Sequence, residues 1–195
     1  IAGGGAIISE SSDEIRELSA KCMIPVTATL NGLGVMDYKD ELFLGMHGMH
    51  GTIAANKAIQ ECDLLIALGS RFDDRATGKL ATFAPKAKII HVDIDTASIS
   101  KNVEVDVPVV GDLKNVLGQL LPIIAPKQHS EWKKRIVELK KMSHDIPRGQ
   151  KRLTAIEIFE SVNEVVPDDT IVATDVGQHQ MWAALYYKFN RPRTL

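Results

Sequence analysis

Cysteine is scarce in this 195-residue chain: Cys22 and Cys62 are the only two, too few for a disulfide scaffold. Each closes a predicted helix as a small apolar residue, which favours a reducing compartment. A marked excess of either charge is missing as well. With 23 Lys and Arg against 25 Asp and Glu, the formal net charge is −2, and no basic field draws the chain to nucleic acid. Long apolar runs are absent, and none approaches the ~20 residues that span a bilayer. The chain opens on Ile1 rather than Met, so the lack of a targeting leader carries no argument. What is present, 45% apolar and 25% charged residues, suits a globular protein able to bury one full domain and part of another.

Strand and helix signals alternate along the first part of the chain. "IAGGGAII" reads as a strand end running into a glycine turn, and Ser11 with Glu14 has capping-box spacing for a helix carrying Ile15, Leu18 and Cys22. "IPVTATL", "DLLIALG", "KIIHVDID" and "VPVVGD" read as buried strands. Thr52 to Cys62 and "LKNVLGQLLPII" read as amphipathic helices, with a further helix around Leu80. This alternation predicts an α/β fold, a doubly wound parallel sheet with helices on both faces. Near Pro122 the pattern stops. "APKQHSEWKKRIVELKKMSHDIPRGQKR" is charged and proline-broken, a linker whose middle is a solvated helix with Trp132, Ile136 and Leu139 turned inward. A second unit follows: a helix capped by Thr154, a buried strand at "TIVATD", and a helix opened by Gly177. One strand and two helices are too little to close a domain, so a truncated unit is expected.

Ligands of open α/β sheets bind at the carboxyl ends of the strands, and glycines and polar residues gather there. Gly3, Gly4 and Gly5 follow the first strand without completing the dinucleotide fingerprint. Asp93 or Asp95 is placed to accept from ribose hydroxyls, or to cap a turn. "RFDDR" is either a self-neutralising surface patch or, in the crevice, a partner for a phosphate or a flavin edge. In "LGMHGMHGT", His47 and His50 stand at a spacing that could suit a metal, but Gly45, Gly48 and Gly51 disfavour a helix. Close approach to a flat bound molecule fits that loop better, and a plain structural turn is the alternative. At the far end, Asp175 can cap the helix after Gly177, whose free amides suit a diphosphate; a capped surface helix is the bland reading.

"LGMHGMHGT" followed by Ala55 and Asn56, "GSRFDDRATGK", "IIHVDID", "VVGD" and "TDVGQHQMWAA", in that order, resembles the catalytic subunits of the acetohydroxyacid synthase (acetolactate synthase) family. The resemblance spans essentially the whole chain. Met36 and Asp37 depart from it, standing where family members often carry an aromatic and a proline. It implies a six-stranded, Rossmann-like middle domain that binds FAD over residues 1–125, a linker over 126–153, and the start of a thiamine-diphosphate domain over 154–195. Gly48, Met49, His50, Thr29, Leu30, Gly69, Arg71, Asp73, Arg75, Asp93, Ile94 and Asp112 match family positions near FAD. Asp74 and Arg75 match the mouth of the substrate channel, and Gln178 and His179 match residues that hold the thiamine diphosphate phosphates.

The implied activity joins two pyruvates, or pyruvate and 2-ketobutyrate, with loss of carbon dioxide in branched-chain amino-acid biosynthesis. FAD is largely structural in that family. The activating glutamate and the Mg2+ ligands are expected outside residues 1–195, so no catalytic residue is placed here and the isolated segment is expected to be inactive. Implied partners are further catalytic subunits, as a homodimer or higher oligomer, and a small regulatory subunit; neither nucleic acid nor membrane is expected. The implied compartment is the cytoplasm in a bacterium and a plastid or mitochondrion in a eukaryote. The alternatives are a flavin-dependent 2-ketoacid oxidase such as pyruvate oxidase, disfavoured by "RFDDR", and a non-catalytic nucleotide-binding module.

Overall fold

A computed structural model describes residues 1–142 and 153–195, so the part of the expected linker over 143–152 lies outside the described residues. Five parallel strands form: β1 (Val26–Ala28), β2 (Phe43–Met46), β3 (Leu64–Leu68), β4 (Lys88–Asp93) and β5 (Val107–Val110). They make a two-stranded sheet, β1-β2, and a three-stranded sheet, β3-β4-β5. Ala2 joins the two by parallel bridges to Ala28 on one side and Leu68 on the other. The Ile1 amine and the Ile1 and Ala2 backbones continue this seam, with hydrogen bonds of 2.7–2.9 Å to Ile66, Thr27, Leu68 and Thr29. The expected sixth strand is therefore a single bridged residue, too short to form a ladder. Counting it first, the order across the sheet is 3-2-1-4-5-6, the doubly wound order that reverses beside Ala2.

Helices cover both faces. On one side lie α1 (Gly4–Ile8), α2 (Ser12–Cys22) and α5 (Leu113–Leu120), whose Ala6, Ile15, Leu18, Cys22 and Leu117 meet Ala2, Val26, Ala28 and Val92. On the other lie α3 (Ile53–Glu61) and α6 (Ser130–Lys141). Ala54, Ala55 and Ala58 of α3 leave room for Ile136 and Leu139 of α6, both essentially buried. Arg135 clamps the pair with two bonds to Glu61 of 2.7 and 2.8 Å. The expected solvated linker helix is thus a docked one, because its inward residues find the small-residue face of α3.

The sequence around Leu80 forms a short α4 (Asp74–Thr77) and one 3-10 turn (Leu80–Thr82) rather than a longer helix. Ser11 precedes α2 but forms no capping box; its hydroxyl donates to the Ala6 carbonyl at 3.1 Å. The capping box does form at α7 (Ala155–Val165), between Thr154 and Glu157. "TIVATD" is not a strand. Ile171 is 76% exposed, and among the described residues the backbone of this stretch gains only the Val172 N–H bond to Thr194 and the turn bond of Thr170 to Pro167. A buried strand needs neighbours on both edges and both faces, which the described residues do not supply there. The last helix, α8 (Gln178–Tyr186), returns to the core through Ala184, with Tyr187 and Phe189 just beyond it.

Candidate functional site

A cavity of about 500 Å3 opens where the strand order reverses, at the carboxyl ends of β1, β3 and β4. Its floor exists because glycines let two backbones touch. Gly69 ends β3 at φ +59°, and a Cβ on Gly5 would stand 2.8 Å from the Gly69 Cα. A Cβ on Gly4 would come 3.2 Å from the Asn31 side chain and narrow the same floor.

Of the residues singled out from the sequence, Gly4, Gly5, Thr29, Leu30, His50, Gly69, Arg71, Asp73, Arg75, Asp93 and Ile94 line this cavity together. Gly3 stands beneath it, its N–H bonded to Leu68 at 2.9 Å. Gly48 and Met49 lie beside the wall, where the Met49 N–H donates to the Arg75 carbonyl at 2.9 Å. Asp74 is at the exposed edge, 3.9 Å from the Arg75 guanidinium. Asp112 is not part of the wall: its carboxylate caps α5, accepting from the Asn115 N–H at 3.0 Å. Gln178 and His179 are exposed at the start of α8. Asp175 does not cap that helix, because its carboxylate is taken by the adjacent Val176 N–H at 2.7 Å.

The glycine-rich loop is folded by Asn56, whose side chain accepts from the Gly48 N–H and donates to the Gly48 carbonyl at 2.8 and 2.9 Å. That clip turns the repeated Gly-Met-His so that Met46 and His47 form cavity wall together with His50. From the sequence His47 stands out only as a possible metal partner of His50, since the repeat hides which of its halves faces inward. Its Nδ1 lies 3.0 Å from the Ala28 carbonyl, and burial pushes its pKa down to about 4. The ring is therefore neutral at pH 7, and an Nδ1–H donated to Ala28 leaves Nε2 as an acceptor. Both histidines border this cavity, but among the described residues no three His, Cys, Asp or Glu are grouped to hold a metal.

Ser70, Asn31, Ile8 and Met181 are further wall residues that the sequence reading did not name individually, and Met181 arrives from α8. The two candidate carboxylates differ in surroundings. Asp93 lines the cavity, whereas Asp95 is spent on a turn, accepting from Ala97 and Ser98 at 2.9 Å each. Arg71 pairs with Asp73 only at 3.3 Å and with most of its side chain exposed, so both guanidiniums keep donors for an anion. The wall thus offers apolar faces, two cations, two carboxylates and the neutral imidazole of His47, a set suited to a large ligand with rings, phosphates and hydroxyls.

Residues 1–120 match the family model described as "Thiamine pyrophosphate enzyme, central domain". The chain is 48% identical, over its whole length, to a protein of Methanocaldococcus jannaschii named probable acetolactate synthase large subunit. It is 44% identical over 97% of its length to the Escherichia coli acetolactate synthase isozyme 1 large subunit, and 45% over 99% to the acetolactate synthase large subunit of Cyanidium caldarium. It spans 34% of each of these three relatives, about a third of their length.

Proposed function

The chain belongs to the thiamine pyrophosphate enzyme central-domain family, and from that premise we propose that it is a segment of an acetolactate synthase catalytic subunit. The parent enzyme condenses two pyruvates, or pyruvate and 2-ketobutyrate, with loss of carbon dioxide. The observation that carries this reading is identity of 42–48% to large subunits from archaea, bacteria and an alga along 97% or more of the chain. Both the cavity and the start of α8 lie inside the matched stretch.

In this reading residues 1–125 hold FAD in the strand-end cavity. Arg71 and Arg75 offer forked donors to its phosphates, Asp93 accepts from its hydroxyls, and His47 Nε2 accepts from a ring N–H. Gly48, Met49 and His50 close over it, with Asp74 and Arg75 at the substrate entry. Gln178 and His179 hold the phosphate end of thiamine diphosphate, whose Mg2+ ligands come from other parts of the parent. Bound thiamine diphosphate supplies the nucleophilic carbon and electron sink for joining the ketoacids. This chain's own residues bind and orient. The parent assembles as a dimer or larger oligomer of catalytic subunits, with a small regulatory subunit, in the cytoplasm of a bacterium or in an organelle of a eukaryote. No helix among the described residues is long and apolar enough to cross a membrane.

Purification of the full-length parent tests this. It should release FAD on denaturation and form acetolactate from pyruvate when given thiamine diphosphate and Mg2+. A parent that forms no acetolactate, or one that is fully active with no flavin bound or added, would overturn the corresponding half of the proposal.

A further inference from the structure

His91 sits in the middle of β4, fully buried, and neither ring nitrogen has a hydrogen-bond partner. A buried polar group left unmatched is disfavoured and calls for an explanation. Two residues along the same strand, and so on the same face, is Asp93 on the cavity wall. His91 Nε2 lies 3.7 Å from Asp93 Oδ2, just beyond hydrogen-bond length, while Oδ1 already accepts from the Asp95 N–H at 2.9 Å. Phe72 packs edge-on against the imidazole with centroids 5.0 Å apart, and the Phe72 carbonyl is itself held by Asn102. Phe72 thus covers one side of the ring, and besides Asp93 the Ser70 backbone is its other polar neighbour.

We propose that His91 is a positioning residue: its Nε2–H closes onto Asp93 Oδ2 when a ligand hydroxyl engages the same carboxylate, fixing the plane in which Asp93 accepts. Burial lowers the His91 pKa against the pull of Asp93, so the imidazole is neutral and has one proton to give. Asp93 and the Ser70 backbone are the acceptors acting on it, and the charged carboxylate, 3.7 Å from Nε2, is the stronger and favours the proton there. With Oδ1 on the Asp95 amide and Oδ2 on His91, the remaining lone pairs of Asp93 are aimed rather than free to rotate. A pre-aimed acceptor loses less freedom when a polyhydroxylated ligand binds. The role rests on the flavin reading above, with the ribose or ribityl hydroxyls of FAD as the groups that engage Asp93.

The test is FAD titration of the full-length apo-protein carrying His91→Phe, His91→Gln and Asp93→Asn. His91→Phe keeps the contact with Phe72 and removes the donor; it should weaken FAD binding about tenfold while the apo melting temperature stays level or rises. His91→Gln, which restores an N–H at the Nε2 position, should bind within about threefold of wild type. In an Asp93→Asn background, His91→Phe should change affinity less than about twofold, because the coupling has been removed. A Phe variant that binds like wild type, a Gln variant as weak as Phe, or an undiminished effect in the Asn background would overturn the positioning role alone. Wild-type apo-protein that binds no FAD would overturn the flavin reading and this role with it.

Discussion

At the scale of single residues, Arg75 separates binding from folding. Its guanidinium is mostly exposed, 3.9 Å from Asp74 and 3.7 Å from the Met49 sulfur, contacts that contribute little to stability. Arg75→Ala should leave the apo melting temperature within about 1 °C while lowering that of the FAD-saturated protein, since a ligand contact matters chiefly when ligand is bound. Equal losses in both forms would assign Arg75 to the scaffold. His47 makes the opposite case, a buried group whose folded pKa of about 4 lies below its ordinary 6.5. Between those values the unfolded chain binds the extra proton, so stability rises with pH through this window and is lost as pH falls from about 6.5 toward 4. The slope is about 1.4 kcal/mol per pH unit where the two states differ by one proton. Denaturant melts of wild type and His47→Asn at pH 4.5 and 7 should show a smaller pH dependence in the variant. The sequence does not separate Asp93 from Asp95, because both end the same apolar run; they differ in that Asp93 lines the cavity while both Asp95 oxygens accept turn bonds from Ala97 and Ser98.

At the scale of elements, sequence pattern located those marked by their own apolar runs and caps and missed the surfaces they pack against. β3, β4 and β5 fall inside the apolar runs that announced them, and α3 begins after Thr52, whose hydroxyl accepts from the Ala55 N–H at 3.1 Å. Ile136 and Leu139 were legible as inward residues, but not the α3 surface that receives them, which is set by tertiary packing. "TIVATD" carries the composition of a buried strand and is left exposed, since strand formation depends on neighbours that composition does not contain. The crevice was legible as the meeting of strand ends, whereas the inward half of the Gly-Met-His repeat was decided by Asn56, eight residues beyond the glycine it clips. Two substitutions probe these joints. Leu139→Ala should destabilise the fold by about 2–5 kcal/mol if α6 is docked as seen, and by almost nothing if it were a free linker helix. Gly69→Ala forces a Cβ to 2.7 Å from the Gly5 Cα at a positive φ, so a loss of about 2–4 kcal/mol and of flavin binding is expected together. Urea melts of each variant beside wild type check both.

At the scale of the whole molecule, the cavity and the helix start of α8 differ in how much of a site each one is. The cavity gathers donors, acceptors and apolar wall from α1, the loops after β1, β2, β3 and β4, and Met181 of α8. The residues proposed for thiamine diphosphate, Gln178 and His179, are exposed, and the described residues group no metal ligands near them or elsewhere. Catalysis requires the cofactor to be held at both ends with the ketoacid oriented beside it, and such orientation supplies roughly 7–11 kcal/mol of a typical barrier reduction. One exposed face of a diphosphate site cannot provide that. The 195-residue chain alone is therefore expected to retain flavin affinity, since nearly all of its proposed contacts lie within residues 1–125, and to form no acetolactate with FAD, thiamine diphosphate and Mg2+ all supplied. Fluorescence titration with FAD, run beside a colorimetric assay for acetoin after acid decarboxylation, reads both halves on one preparation. Flavin binding with no product is the expected outcome. Product above the buffer rate would mean that 195 residues contain a complete thiamine site, and would move the proposed active centre into the crevice now assigned to flavin.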